Sequence, residues 1–227
     1  MKAWRRYGRF KKGRKHTFLH NIQRTAQKGK KRRSHVFQSI APIYGLFYSY
    51  QTKYYTKVLE KVKNEINLSA YTNIIDIGCG TGALCAVLNQ KGLRVTGVDL
   101  VQKMLDIAGK KQGNTEVEFI QANVLKKIPF EDKSFDLSIS SYVAHGLNAE
   151  ERRAMYEEMS RVTKYWVIIH DYNEKKRPLT SILESLEGGD YFNFMKKARL
   201  EMKEYFLYPR EIDCGSWAVW YIGRPKA

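Results

Sequence analysis

The run Asn73-Ile74-Ile75-Asp76-Ile77-Gly78-Cys79-Gly80-Thr81-Gly82 constrains the fold of this chain more than any other segment. A short β-branched, apolar stretch carrying an acid passes into a Gly-x-Gly-x-Gly turn. Ala83-Leu84-Cys85-Ala86-Val87-Leu88 then reads as a helix opening directly from that turn. Glycines are needed where the backbone turns tightly and lies against a ligand with no Cβ in the way. A helix starting at the same spot aims its free N–H groups and positive dipole end there. Strand, glycine turn and helix in this order predict a ligand-binding βα unit.

A second acid follows. Arg94-Val95-Thr96-Gly97-Val98-Asp99 reads as the next strand, and its terminal carboxylate lies about 20 residues beyond the first, the spacing used to grip two ribose hydroxyls. Acids at the ends of adjacent parallel strands sit on the ligand-binding edge of an open α/β sheet. A dinucleotide fold would use Gly-x-Gly-x-x-Gly to admit a pyrophosphate. Here the spacing is Gly-x-Gly-x-Gly, and Asp76 would repel a pyrophosphate. The carboxylate suits a ligand with an ammonium group, such as the methionine moiety of S-adenosylmethionine.

Strand and helix signals alternate at the spacing of βαβ units. Strands are predicted at 73–77, 95–99, 117–121, 135–140 and 165–170, with closing strands near 207–212 and 217–223. Helices are predicted at 52–66, 82–91, 101–110 and 149–162, over a stretch from Pro178 to Gly188-Gly189, and from Tyr191 to Phe206. In 149–162, apolar Ala154, Met155, Met159 and Val162 alternate with charged residues at a helical period. The fold class expected is α/β: a doubly wound, Rossmann-like seven-stranded sheet, mostly parallel with an antiparallel edge strand.

At 227 residues the chain can bury one ample core. No apolar run approaches the roughly 20 residues of a membrane-spanning helix, and no secretory apolar region is visible. Cys79, Cys85 and Cys214 form no Cys-x-x-Cys or Cys/His cluster. No metal is therefore expected, and the odd thiol count reads as reduced and cytoplasmic. The net charge of +17 is unevenly spread. Of 40 Lys and Arg, fourteen fall in residues 1–35 with no acid among them, leaving 26 basic against 23 acidic residues in the remainder. Residues 1–35 are thus expected to be a disordered basic arm, and 36–227 a nearly neutral catalytic domain.

From Val36 to about Pro225 the chain resembles the class I S-adenosylmethionine-dependent methyltransferases. The resemblance rests on Asp76-Ile77-Gly78-Cys79-Gly80-Thr81-Gly82, Gly97-Val98-Asp99-Leu100-Val101-Gln102-Lys103-Met104-Leu105, Phe119-Ile120-Gln121-Ala122-Asn123-Val124 and Ile128-Pro129-Phe130-Glu131-Asp132-Lys133-Ser134-Phe135-Asp136-Leu137. The last of these is similar to the small-molecule branch, methyltransferase type 11. Val36-Phe37-Gln38-Ser39-Ile40-Ala41-Pro42-Ile43-Tyr44 resembles the entry segment of quinone-biosynthesis-like C-methyltransferases. The resemblance implies S-adenosylmethionine as cofactor and S-adenosylhomocysteine as product. Asp76, Gly78, Cys79, Gly80, Gly82, Asp99, Leu100, Met104, Asn123, Val124, Ser140 and Tyr44 would hold it, with Leu100 on the adenine. Three departures stand out. Asn123 replaces the usual acid of the adenine loop, Thr163-Lys164-Tyr165 replaces a Pro-Gly-Gly turn, and Gly45 replaces the acid after Tyr44.

Methyl transfer is an in-line displacement that needs positioning and exclusion of water before it needs a catalytic side chain. The candidate base is His145, in Ser140-Ser141-Tyr142-Val143-Ala144-His145 after the fourth strand. His170-Asp171, ending the fifth strand, is the second pair of interest. The segment lacks the Asn/Asp-Pro-Pro-Tyr/Phe sequence that marks exocyclic amino methylation of nucleic acids, and it has no cysteine nucleophile for RNA 5-methylcytosine chemistry. A small-molecule acceptor is expected. The alternative is an RNA- or ribosome-associated enzyme whose basic arm supplies affinity for nucleic acid.

Overall fold

The computed structural model describes residues 38–39, 41–42, 44–173, 191–215 and 217–226. The basic arm 1–35 and the helix expected from Pro178 lie outside these. Seven strands form one sheet: β1 (Asn73–Ile77), β2 (Arg94–Asp99), β3 (Glu118–Gln121), β4 (Phe135–Ser141), β5 (Thr163–Tyr172), β6 (Phe206–Asp213) and β7 (Ala218–Pro225). Their spatial order is β3-β2-β1-β4-β5-β7-β6. The first five pair in parallel, whereas β7 runs antiparallel to both β5 and β6. The expected antiparallel strand is therefore β7, one place in from the edge. Because β1 sits between β2 and β4, the chain order reverses beside it, and an open α/β sheet has its ligand crevice outside the carboxyl ends at such a point.

Side chains of β1 alternate between two apolar layers. Ile74 packs with Val58, Val62 and Leu88 on one face, and Ile75 and Ile77 pack with Met155, Met159 and Phe194 on the other. The first layer is closed by helices α1 (Tyr48–Val62) and α2 (Ala83–Gln90). In α2 every residue from Ala83 to Leu88 is buried. Its Leu84, Val87 and Leu88 each contribute roughly 1.5–3 kcal/mol of burial. The remaining helices are α3 (Gln102–Ala108), α4 (Ala149–Val162) and α5 (Tyr191–Tyr205).

Two boundaries differ from the sequence expectation. Helix α1 starts and stops four residues earlier, because the chain tightens at Glu65 N–H to Val62 O (2.9 Å) and enters the turn-favouring Asn64–Asn67 stretch. Strand β5 is longer than 165–170: α4 ends at Val162 and Thr163 begins the strand at once. The Thr163 hydroxyl, 2.6 Å from Met159 O and 2.8 Å from Ser138 Oγ, fastens this junction without a Pro-Gly-Gly turn.

Candidate cofactor and acceptor site

The glycine turn at the end of β1 alternates in handedness. Gly78, Gly80 and Gly82 have φ of 74°, 53° and 75°, a region costly for residues with a Cβ. Backbone bonds fix the turn: Gly78 N–H and Cys79 N–H both donate to Val98 O (2.7 and 3.1 Å), and Gly82 N–H donates to Cys79 O (2.9 Å). The three glycines do different work. A Cβ on Gly78 would lie 2.5 Å from Val143 Cγ2, and one on Gly82 would lie 2.4 Å from Asn114 Nδ2. A Cβ on Gly80 would meet no protein atom within 4 Å. Gly78 and Gly82 are thus glycines for packing, and Gly80 leaves open space at the crevice.

Asp99 ties the turn to β2. Its Oδ2 accepts from Gly80 N–H (2.9 Å) and its Oδ1 from Val101 N–H (2.8 Å). With the Leu100 amide also close, the carboxylate keeps acceptor capacity for a further donor. Burial raises the Asp99 pKa, against the pull of these amide bonds. Leu100 beside it is 47% exposed, a large apolar surface at the crevice mouth, while Met104 is buried beneath. Asn123 Oδ1 accepts from Leu125 N–H (3.0 Å), so one lone pair of the amide expected to serve adenine is already committed to its own turn. Val124 is half-buried against the second layer. Ser140, expected among the cofactor-binding residues, is buried, and its hydroxyl donates to Ile77 O (2.9 Å) inside the sheet.

Asp76 is the unusual member. It is fully buried on the α1–α2 face; Oδ2 accepts from the Cys85 thiol (3.2 Å), and Oδ1 has no partner among the described residues. Burial, with Asp99 adding to it, pushes its pKa up to about 7. The Cys79 thiol is buried and pushed up to about 11, which leaves it unreactive. Tyr44 is half-buried in helical residues ahead of α1. That segment is held over α3: Lys111 donates to Gly45 O (3.0 Å), and a Cβ on Gly45 would touch Ile107. Among the described residues no group of three or more His, Cys, Asp or Glu is placed to hold a metal.

Beyond β4 the sheet edge is built from side chains. The structure joins the two histidine pairs that the sequence left separate: His145 Nδ1 lies 2.8 Å from Asp171 Oδ1, and His145 N–H donates to Asp171 Oδ2 (3.2 Å). Asp171 is wholly buried and also accepts from Tyr172 N–H (2.8 Å). A proton held on Nδ1 by the carboxylate makes Nε2 the basic nitrogen. His170 faces the other way, 3.1 Å from Tyr54 Oη through Nε2, and burial pushes its pKa down to about 4. Tyr54 Oη is 2.6 Å from Tyr142 Oη, and Tyr55 Oη is 2.9 Å from Ser141 Oγ. Tyr142 has φ of 56°, unusual for an aromatic residue, and its ring centroid is 4.9 Å from His170 and 5.0 Å from Tyr172. Arg152, with no exposed surface, clamps Glu201 through two nitrogens (2.8 and 2.7 Å) and reaches Leu147 O (2.6 Å), pinning the His145 loop to α5.

Sequence reading missed Tyr54, Tyr142 and Arg152. Tyr54 and Arg152 lie on helices whose local period carries no sign of partners 116 and 49 residues away. The left-handed backbone of Tyr142 has no sequence signal.

A family model described as a methyltransferase domain matches residues 75–166, which contain the glycine turn, Asp99 and the dyad histidine. The sheet order around these residues is that of the methyltransferase fold. Demethylmenaquinone methyltransferase of Thermotoga maritima is 34% identical over 145 residues, 60% of this chain and 59% of that protein. The enzyme of the same name from Chlorobaculum tepidum is 31% identical over 135 residues, 57% and 54% respectively. The match thus spans a little over half the length of these relatives. Two solved structures share the methyltransferase fold. A SAM-dependent methyltransferase from Aquifex aeolicus aligns with TM-score 0.57 at 21% identity, over 72% of this chain and 87% of its own. Magnesium protoporphyrin IX methyltransferase from Synechocystis aligns with TM-score 0.54 at 17% identity, over 78% and 84%. No helix among the described residues is long and apolar enough to cross a membrane.

Proposed function

We propose that this domain binds S-adenosylmethionine along the carboxyl ends of β1–β3 and transfers its methyl group to a small molecule held beyond β4 and β5. The observation that carries the reading is Gly80: its amide is tied to Asp99, yet its Cβ direction is empty of protein. The residues fit the cofactor. Asp99 retains acceptor capacity for the ribose hydroxyls, Leu100 offers an exposed apolar face to the adenine, and the unpartnered Oδ1 of Asp76 suits the ammonium of the methionine moiety. When bound, the cofactor supplies an activated methyl group and leaves as S-adenosylhomocysteine.

The chain's own part is to orient and to move a proton. His145 Nε2 would take the proton of the acceptor atom, and buried Asp171 would stabilise the imidazolium that forms. The Tyr54, Tyr142 and Tyr172 rings wall the same space from water. Reduced Cys79, Cys85 and Cys214 suit a cytoplasmic enzyme. The RNA-directed alternative rests on residues 1–35, outside the described residues.

The test is radiolabelled S-adenosylmethionine offered to the purified protein with a metabolite pool and with an RNA pool. Label is expected in the metabolite fraction. Label confined to RNA would overturn the acceptor class. In the productive fraction, Asp171→Asn should lower turnover roughly 10²-fold by releasing the His145 tautomer.

A further inference from the structure

The hydrogen-bond chain His170–Tyr54–Tyr142 has a direction that can be worked out. His170 is buried and neutral, so one ring nitrogen carries a hydrogen and the other a lone pair. Nε2 faces the Tyr54 hydroxyl at 3.1 Å, whereas Nδ1 is buried with no partner among the described residues. A buried N–H without an acceptor costs more than an under-used lone pair, and such orphans are rarer in proteins. The hydrogen therefore resides on Nε2 and is donated to Tyr54 Oη. Tyr54 then spends its own hydrogen on Tyr142 Oη, 2.6 Å away. Tyr142 Oη accepts, and its hydrogen has no acceptor among the described residues.

The ring that carries this hydrogen is held firmly. Tyr142 N–H donates to His170 O (2.8 Å), its backbone is left-handed, and its ring is boxed by His170 and Tyr172 with His145 6.5 Å away. Strain of this kind persists only where the surroundings over-determine it, and it gathers at functional positions. Burial keeps the Tyr142 phenol protonated well above the ordinary range, so it serves as a donor and not as a base.

We infer that Tyr142 is an acceptor-orienting residue: its hydroxyl, with its direction set by His170 and Tyr54, donates a hydrogen bond to an oxygen of the methyl acceptor. The acceptor then carries a carbonyl, phenol or phenolate-like oxygen close to the group whose proton His145 takes. This rests on the methyltransferase reading above. It adds a specificity element to it: a molecule lacking such an oxygen would leave the Tyr142 hydroxyl desolvated and unpaired, which site-built hydrogen bonding penalises strongly.

Two measurements test the inference. Imidazole ¹⁵N resonances should show His170 as the neutral Nε2–H tautomer from pH 8 down to pH 5.5; the Nδ1–H tautomer would overturn it. The second uses 4-nitrophenolate as a planar oxyanion probe, added to protein saturated with S-adenosylhomocysteine. Its absorption maximum should shift to shorter wavelength on the wild type, and Tyr142→Phe should lose the shift and at least tenfold in probe affinity. Tyr54→Phe, which cuts the chain but keeps both rings, should lose part of the shift. No probe binding to the wild type, or an equal shift with Tyr142→Phe, would refute the assignment. Calorimetry of S-adenosylhomocysteine on the same samples separates the readings: unchanged affinity in both variants keeps the cofactor site intact, whereas no binding even to the wild type sinks the methyltransferase reading itself.

Discussion

The two halves of the crevice are made from different materials. Under β1–β3 the surface is backbone: three left-handed glycines, amides collected by Asp99, and an opening at Gly80 where a side chain would have stood. Beyond β4 and β5 it is side chain: a His145–Asp171 dyad and an aromatic chain through Tyr54, Tyr142 and His170. Backbone surfaces recognise what is constant in a ligand, and side-chain surfaces are free to vary. A domain that keeps one cofactor and changes acceptor needs both. The halves also carry opposite buried titrations, with Asp76 held protonated toward neutral pH and His170 held neutral in acid.

The sharpest way to break the comparison is to fill the glycines. Gly82→Ala drives a Cβ into Asn114 and Phe119 at φ of 75° and should lose about 2–4 kcal/mol of stability. Gly80→Ala, with the same handedness but open space, should lose only about 1 kcal/mol. Chemical denaturation measures both. Equal losses would mean that Gly80 is a packing glycine too.

The paired titrations come next. The folded-state pKa of Asp76 is raised from 3.8 to about 7, so its favourable contribution is full below pH 4 and is lost as pH rises through 7. The folded-state pKa of His170 is depressed from 6.5 to about 4, so its contribution is present above pH 6.5 and is lost as pH falls through 4. Each is worth on the order of 3 kcal/mol. Asp76→Asn should therefore raise the Tm at pH 8 and give no gain near pH 4. His170→Gln should flatten the acid limb between pH 6.5 and 4. A lowered Tm for Asp76→Asn at pH 8 would show that the carboxylate has a cationic partner there.

Asp99→Ala is a smaller, local change that would remove the charge-assisted bonds proposed to the ribose. It should weaken S-adenosylhomocysteine by about 1.5–3 kcal/mol in calorimetry. Smallest of all is removal of residues 1–35, which should leave cofactor affinity unchanged. If the arm serves RNA, the full chain alone will bind RNA with a log affinity that falls steeply against log salt.

Legibility in the sequence followed the same divide. The backbone half could be read because glycine spacing, a strand and a terminal acid are local signals: Gly78, Gly80, Gly82 and Asp99 lie together as their order implied. Ser140 shows what spacing leaves out: strand alternation commits its hydroxyl to Ile77 O. The acceptor half was legible only in pieces. His145 and Asp171 are 26 residues apart and meet only through the β4–β5 pairing. Tyr54 reaches His170 across 116 residues. Such contacts depend on sheet register and helix packing, which no local pattern encodes.

The central claim is that the opening at Gly80 is a seat for S-adenosylmethionine. Isothermal calorimetry on the wild type and Gly80→Val, each with S-adenosylhomocysteine and with NAD, tests it most directly. The account predicts that wild type binds S-adenosylhomocysteine and takes NAD far more weakly or not at all, and that a folded Gly80→Val loses at least 100-fold in affinity. Normal S-adenosylhomocysteine binding by a folded Gly80→Val, or a preference for NAD, would contradict it.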